Sequence, residues 1–312
     1  MLREFEIIQK YFLPLAGHHP TNIQIVVNQG DDCAVIQHSQ ALAFSIDTQI
    51  EKRHFLRSMA AADIAWRGLA CALSDLAAMG AEPAFFTLAL SLTGRENEQW
   101  LEDYAAGLAE LAGQYRIPLL GGDTTRAEEL IHTFQVHGTV ERPLTRTGAK
   151  PGDLIVISNT LGLGVAGLDA YLHQGPAELQ KYYLRPEPQI ALGRFIRGTA
   201  TAAIDISDGL LADLGHLLSQ SGVGAEIRLD DFHFDPIYQQ WVTHSEQQLE
   251  WALTGGDDYQ LCFTWPEQHR ALLQQAPVPV QVIGQVRDDT NGIHCFIDGR
   301  EIHYSSTGYQ HF

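Results

Sequence analysis

Short apolar runs of strand length alternate with longer stretches of helical periodicity, twice over, on either side of one turn-rich segment. In the first half Ala41–Ile46, Phe85–Leu92, Ile117–Leu120 and His132–Val140 read as strands. Between them, Ser58–Ala78 and Glu96–Gln114 carry apolar residues at helical spacing, and Gly80 is a plausible stop for the first. The segment Arg142–Asp153 (RPLTRTGAKPGD) then gathers Pro, Gly and turn formers. Beyond it, Leu154–Ile157, Ala202–Ile206, Ala225–Leu229, Tyr259–Thr264 and Val280–Val286 read as strands, with helices at Pro188–Gly198 and from Gly209 to Gln220. Ile293–Ile297 and Glu301–Tyr304 read as a hairpin about Asp298-Gly299. A chain of 312 residues with this pattern predicts two α/β domains, residues 1–149 and 150–312.

The aspartates sit at informative places. They occur in Gly30-Asp31-Asp32, Ile46-Asp47-Thr48, Leu73-Ser74-Asp75-Leu76, Gly121-Gly122-Asp123, Asp205-Ile206-Ser207-Asp208-Gly209 and Gly255-Gly256-Asp257-Asp258, each in apolar or glycine-rich sequence. One Asp beside Gly is more often a turn or N-cap residue than a ligand, and Asp208 could cap a helix opening at Gly209. Asp63 and Asp213 read as ordinary solvated helix residues. Six such motifs together point elsewhere, because isolated buried carboxylates must be paired, hydrogen-bonded or metal-bound. Basic partners are scarce: 20 Lys and Arg face 38 Asp and Glu. Hard oxygen donors without nearby His or Cys suit Mg²⁺, and adjacent glycines let backbone N–H groups approach phosphate oxygens. The pattern predicts metal-assisted phosphoryl transfer.

Composition excludes other classes. A net charge of −18 argues against a nucleic-acid binder. No apolar run reaches the length of a membrane span, and Met1–Leu15, with Arg3, Glu4, Glu6 and Lys10, does not read as a signal peptide. Four well-separated cysteines with no CxxC spacing argue against a zinc site or a disulfide framework, and the reading is of a cytoplasmic protein. There is no Walker loop, no protein-kinase motif set and no GxSxG elbow. Gly162-Leu163-Gly164-Val165-Ala166-Gly167 matches Gly-x-Gly-x-x-Gly, but no acidic ribose partner follows about 20 residues later, so it reads as a tight strand-to-helix turn.

The motifs GDDCA (Gly30–Ala34), SIDT (Ser45–Thr48), LSDLAAMGA (Leu73–Ala81), GGDTT (Gly121–Thr125), LTRTGAKPGD (Leu144–Asp153), DISDGLLADLGH (Asp205–His216), GGDDYQL (Gly255–Leu261) and GYQHF (Gly308–Phe312) occur in one order along the whole chain. In that order they strongly resemble the thiamine-monophosphate kinase family, of the aminoimidazole ribonucleotide synthetase and selenophosphate synthetase superfamily. The resemblance implies an N-terminal mixed-sheet domain that binds ATP and Mg²⁺ and pairs with a second copy into a dimeric β-barrel, and a C-terminal α/β sandwich. It implies Mg²⁺-dependent transfer of the ATP γ-phosphoryl to thiamine monophosphate. By motif, Asp32, Ser45, Asp47, Asp75, Asp123, Asp205 and Asp208 match metal positions, with Asp75, Asp123 and Asp208 the expected catalytic ones. Tyr104, Gly122, Asp123, Arg146 and Ser207 match nucleotide positions, and His54, Asp257 and Tyr309 match substrate positions. The chain departs from the family in Asp257 and Gln260, where Glu is usual at both, and in Ile50-Glu51-Lys52-Arg53, where small residues are common before His54.

The acidity suits this chemistry, since ATP and a monophosphate acceptor repel each other and several Mg²⁺ ions would neutralise both. The acceptor phosphate is already ionised, so direct in-line transfer without a phospho-enzyme is expected. The competing readings are another synthetase of the superfamily, a non-catalytic nucleotide-binding protein and a Mg²⁺-dependent phosphohydrolase.

Overall fold

The computed structural model describes residues 4–17, 20–28, 33–288, 292–304 and 308. Asp32 and Tyr309 lie outside them. The chain divides into two compact units, one of Met1–Leu76 with Ala81–Glu141, the other of Ala77–Gly80 with Arg142–Phe312. The change of unit at Arg142 falls where the turn-rich segment begins.

The first unit contains helix α1 (Glu4–Ile7), strands β1 (Gln24–Val27), β2 (Val35–Gln37), β3 (Ala41–Ile50), helix α2 (Ala61–Ala78, whose last two residues belong to the second unit), β4 (Glu82–Leu92), helix α3 (Glu98–Tyr115), β5 (Leu119–Arg126) and β6 (Ile131–Val140). Its main sheet has the order β3-β6-β4-β5, with β4 and β5 parallel and the other pairs antiparallel. One face is apolar: Phe134, Val136, Leu88 and Leu90 are buried, as are Ile64, Leu69, Leu73 and Leu76 of α2. Each such side chain removed from water contributes about 1.5–3 kcal/mol. α3 begins at Asn97, whose side chain accepts the Trp100 N–H at 2.8 Å, a normal N-cap. Two strands run further than their sequence suggests. β3 continues to Ile50, so Asp47 lies within it, and β5 carries Gly121–Thr125 in its pairing with β4 instead of ending before them.

The second unit contains β7 (Leu154–Ser158), α4 (Leu163–Leu172), α5 (Ala177–Leu184), α6 (Ile190–Ile196), β8 (Ala202–Ile206), α7 (Leu210–Ser221), β9 (Gly224–Arg228), α8 (Pro236–Trp241), α9 (Ser245–Thr254), β10 (Gln260–Trp265), β11 (Val280–Arg287), β12 (Ile293–Ile297) and β13 (Arg300–Ile302). Its sheet has the order β13-β12-β9-β11-β7-β10-β8 and is antiparallel except between β12 and β9. β7, inside the sheet, and β8, at its end, are both buried along their whole length, Asp205 of β8 included. Ile204 and Ile206 share one core with Leu210, Leu214 and Leu217 of α7.

Candidate active site

In the first unit, alternation along β3 decides which side chains meet α2. Ser45 lies opposite Val136 and Asp47 opposite Phe134, on the face that the helices cover. Phe44, Ile46 and Thr48 lie on the other face, opposite His137, Gln135 and Thr133. Asp75 of α2 reaches the covered face, and the Ser45 hydroxyl donates to its Oδ2 at 2.5 Å. His54 sits in the turn after β3. Its Nδ1 accepts the Ile50 N–H at 3.0 Å, and its carbonyl accepts from the buried Arg67 guanidinium at 3.3 Å.

Asp123 is placed differently. It pairs with Ala89, which pairs with Thr133, which pairs with Thr48, so these four residues form one row on the open face. The row spans four strands, about 14 Å at the usual strand spacing. Within one chain, Asp123 therefore cannot share an ion with Asp47 or Asp75. Its carboxylate makes no hydrogen bond or ion pair to a described residue. A cavity of about 610 Å³ lies alongside, lined by Arg95, Asn97, Thr124, Thr125 and Arg126 among others. Arg95 is tethered there by Glu51, whose side chain is buried and accepts from the guanidinium at 3.1 Å. Tyr104 is wholly buried, ringed by Phe12 and Trp100, and its hydroxyl bonds His132 Nδ1 at 2.9 Å. No face of its ring is open to solvent.

In the second unit, two stretches far from it in sequence converge on the turn after β8. The Asp257 N–H donates to the Ser207 carbonyl at 2.9 Å and the Tyr259 N–H to the Ile206 carbonyl at 2.8 Å. Gly308 approaches so closely that a Cβ there would stand 2.5 Å from the Asp208 carbonyl oxygen. Asp257 is left-handed, at φ 67°, a conformation that Asp tolerates better than most residues, and its Oδ1 accepts from the Tyr259 hydroxyl at 3.0 Å. The side chains of Ser207 and Asp208 make no hydrogen bond or ion pair to a described residue. Asp205 is buried on β8 opposite Leu261. The Arg146 guanidinium is likewise without a described partner, while its carbonyl accepts from Ser221.

The Gly-rich turn before α4 holds an anion of the chain's own. The Gly162 and Gly164 N–H groups donate to Asp258 at 2.7 and 2.8 Å. Burial pushes this carboxyl up to about 7, although those backbone bonds pull the other way. The position where a dinucleotide pyrophosphate would sit is therefore filled. Gln260 accepts from Ser158 and Asn159 at 2.7 and 2.8 Å and so ties together the ends of β10 and β7.

No group of three or more His, Cys, Asp or Glu among the described residues is arranged to hold a metal ion by itself. The donors that are present are all oxygen and occur in ones and twos. Such a set suits Mg²⁺, which keeps several waters and is typically held by one or two carboxylates together with substrate phosphates.

Residues 30–140 match the AIR synthase related protein N-terminal domain and residues 150–295 its C-terminal domain. The chain belongs to this family of two-domain α/β proteins. It is 43% identical to the thiamine-monophosphate kinase of Escherichia coli strain K12, over 99% of this chain and 98% of that one. The crystal structure of thiamine-monophosphate kinase from Stenotrophomonas maltophilia K279a superposes with a TM-score of 0.81 at 36% identity, covering 89% of this chain and 92% of that one. A structure of AaThiL complexed with AMPPCP and TMP superposes with a TM-score of 0.79 at 30% identity, covering 91% of each. Within the AIR synthase related proteins, the chain is a member of the thiamine-monophosphate kinases. No helix among the described residues is long and apolar enough to cross a membrane.

Proposed function

We propose that the chain, a thiamine-phosphate kinase, transfers the γ-phosphoryl of ATP in line to the phosphate of thiamine monophosphate, without a phospho-enzyme. The observation that carries the site is the turn Ser207–Asp208, whose polar side chains are unspent while its backbone is pinned by the Asp257 loop and approached by Gly308.

We assign the nucleotide to the strand edge at Gly122 and Asp123 and to the neighbouring cavity, whose wall offers Arg95 and Arg126 to phosphate oxygens. By their match to the family's motifs we also assign Ser207, Arg146 and Tyr104 to the nucleotide. His54, Asp257 and Tyr309 hold the acceptor, with Tyr309 offering an aromatic face to the thiazolium cation. Asp32, Ser45, Asp47, Asp75, Asp123, Asp205 and Asp208 would hold Mg²⁺, which supplies charge neutralisation between the two phosphates when bound. The protein's task is to orient the two anions and keep competing water out. The acceptor needs no base, so His54 positions it.

The working unit in this proposal is a homodimer in the cytoplasm. The open face of the four-stranded sheet exposes Phe44 and Ile46 at 67% and 65%, and β3 has no described strand on its outer edge. Such a face and edge call for a cover. A second copy is the cover that also answers the separation of Asp123 from the Ser45–Asp75 pair.

The test is ADP release from ATP and Mg²⁺ with and without thiamine monophosphate, with thiamine diphosphate read as thiochrome fluorescence. Acceptor-dependent ADP release that matches product is expected. ADP release without acceptor would turn the assignment to a phosphohydrolase, and silence to a binding protein or another synthetase.

A further inference from the structure

Asp213 lies on α7 and is only 4% exposed, among leucines. A single oxygen, Oδ2, accepts the backbone N–H groups of Ser207, Asp208 and Gly209 at 3.0, 3.0 and 3.2 Å. A helix N-terminus leaves its first amides without partners, and the usual remedy is the side chain of the residue that opens the helix. Here that residue is Gly209, at φ 119°, which has no side chain to offer. Asp213 reaches back past the helix start to the turn, as helical side chains lean toward the N-terminus. The amides it gathers are those of the turn and of the residue that opens the helix, and the Asp208 carboxylate makes no bond to any described residue. The carbonyls of the same turn are held from the other side by the Asp257 and Tyr259 amides.

We propose that Asp213 is a positioning residue for phosphoryl transfer: by gathering the three amides of residues 207–209 it fixes the turn so that Ser207 and Asp208 keep their side chains for ligands. This rests on the assignment of Asp208 to the active site.

The experiment compares Asp213→Ala, Asp213→Asn and Asp208→Asn for kcat, for the Mg²⁺ concentration at half-maximal rate, and for hydrogen exchange at the amides of 207–209. All three bonds end on one oxygen, so the Asn carbonyl can keep them and Ala cannot. Asp213→Ala is expected to lower kcat by about 10–100-fold, to raise the Mg²⁺ requirement and to expose those three amides to exchange while β8 stays protected. Asp213→Asn is expected to keep both protection and rate to within about threefold of wild type. If the Ala variant does not fold, the Asn variant decides: rate kept with the amides protected supports the role, and so does rate lost together with the protection. A lost rate with the amides still protected overturns it, and so does a wild-type rate in Asp213→Ala. A wild-type rate in Asp208→Asn would instead overturn the assignment of the site itself.

Discussion

The Ser45 hydroxyl on β3 and the Asp75 carboxylate on α2 meet at 2.5 Å, 30 residues apart in sequence. The contact joins a strand to the helix that covers it and orients Asp75 Oδ2. In Asp75→Asn the charge is gone but the shape remains. Turnover should fall on the order of 100-fold or more with the thermal midpoint nearly unchanged. Ser45→Ala should be milder, raising the Mg²⁺ requirement by about 10-fold as the orienting bond is lost. Steady-state kinetics over a Mg²⁺ titration separates the two.

Asp208→Asn should also nearly abolish turnover, again on the order of 100-fold, while circular dichroism and melting stay close to wild type. Its carboxylate holds up no described part of the fold, so its loss should cost chemistry and not stability.

Asp258 gives the opposite expectation. Both its oxygens accept backbone N–H groups at the turn before α4. In Asp258→Asn the amide NH₂ must face one of those donors. Equilibrium unfolding in urea should show a loss of about 1–3 kcal/mol.

His132 sets an acid limit. It is fully buried between Tyr104 and Gln49, and burial, with Arg67 and His54 nearby, pulls it down to about 3 from an ordinary 6.5. The folded state therefore resists protonation that the unfolded chain accepts. This contribution is complete above pH 6.5 and is lost as pH falls from there toward 3, at up to about 1.4 kcal/mol per pH unit. Between pH 7.5 and 5 the wild type should lose more of its thermal midpoint than His132→Asn does.

Replacing Ile46 and Phe44 together by Lys should convert the proposed dimer to a monomer, read by size-exclusion chromatography with light scattering. Both residues point away from α2, so the monomer should stay folded.

Much of the fold was legible because its pattern is periodic. The runs at Ala202–Ile206 and Leu154–Ile157 became fully buried strands, and the helical spacing from Ile64 to Leu76 became α2. The ends of β3 and β5 were less legible, since polar residues such as Asp47 and Asp123 break the apolar pattern while the ladder continues. Asp213 reads as solvated when taken alone. Its signal was available in the helical period, which places it on the same face as Leu210, Leu214 and Leu217. The roles of Glu51 and Asp258 depend on partners 44 and 96 residues away, Arg95 and Gly162, which no local pattern reveals.

The order of strands in the second unit has a consequence for how the protein is made. β7 is flanked by β10 and β11, which the ribosome reaches more than 100 residues later. At about 5–20 residues per second, the first-made strand of that sheet waits roughly 6–25 s for the second of its two neighbours. During that interval an apolar segment stands exposed beside the growing chain. Slowing translation downstream of residue 158, or withdrawing chaperones, should therefore harm the yield of this protein before it harms its activity.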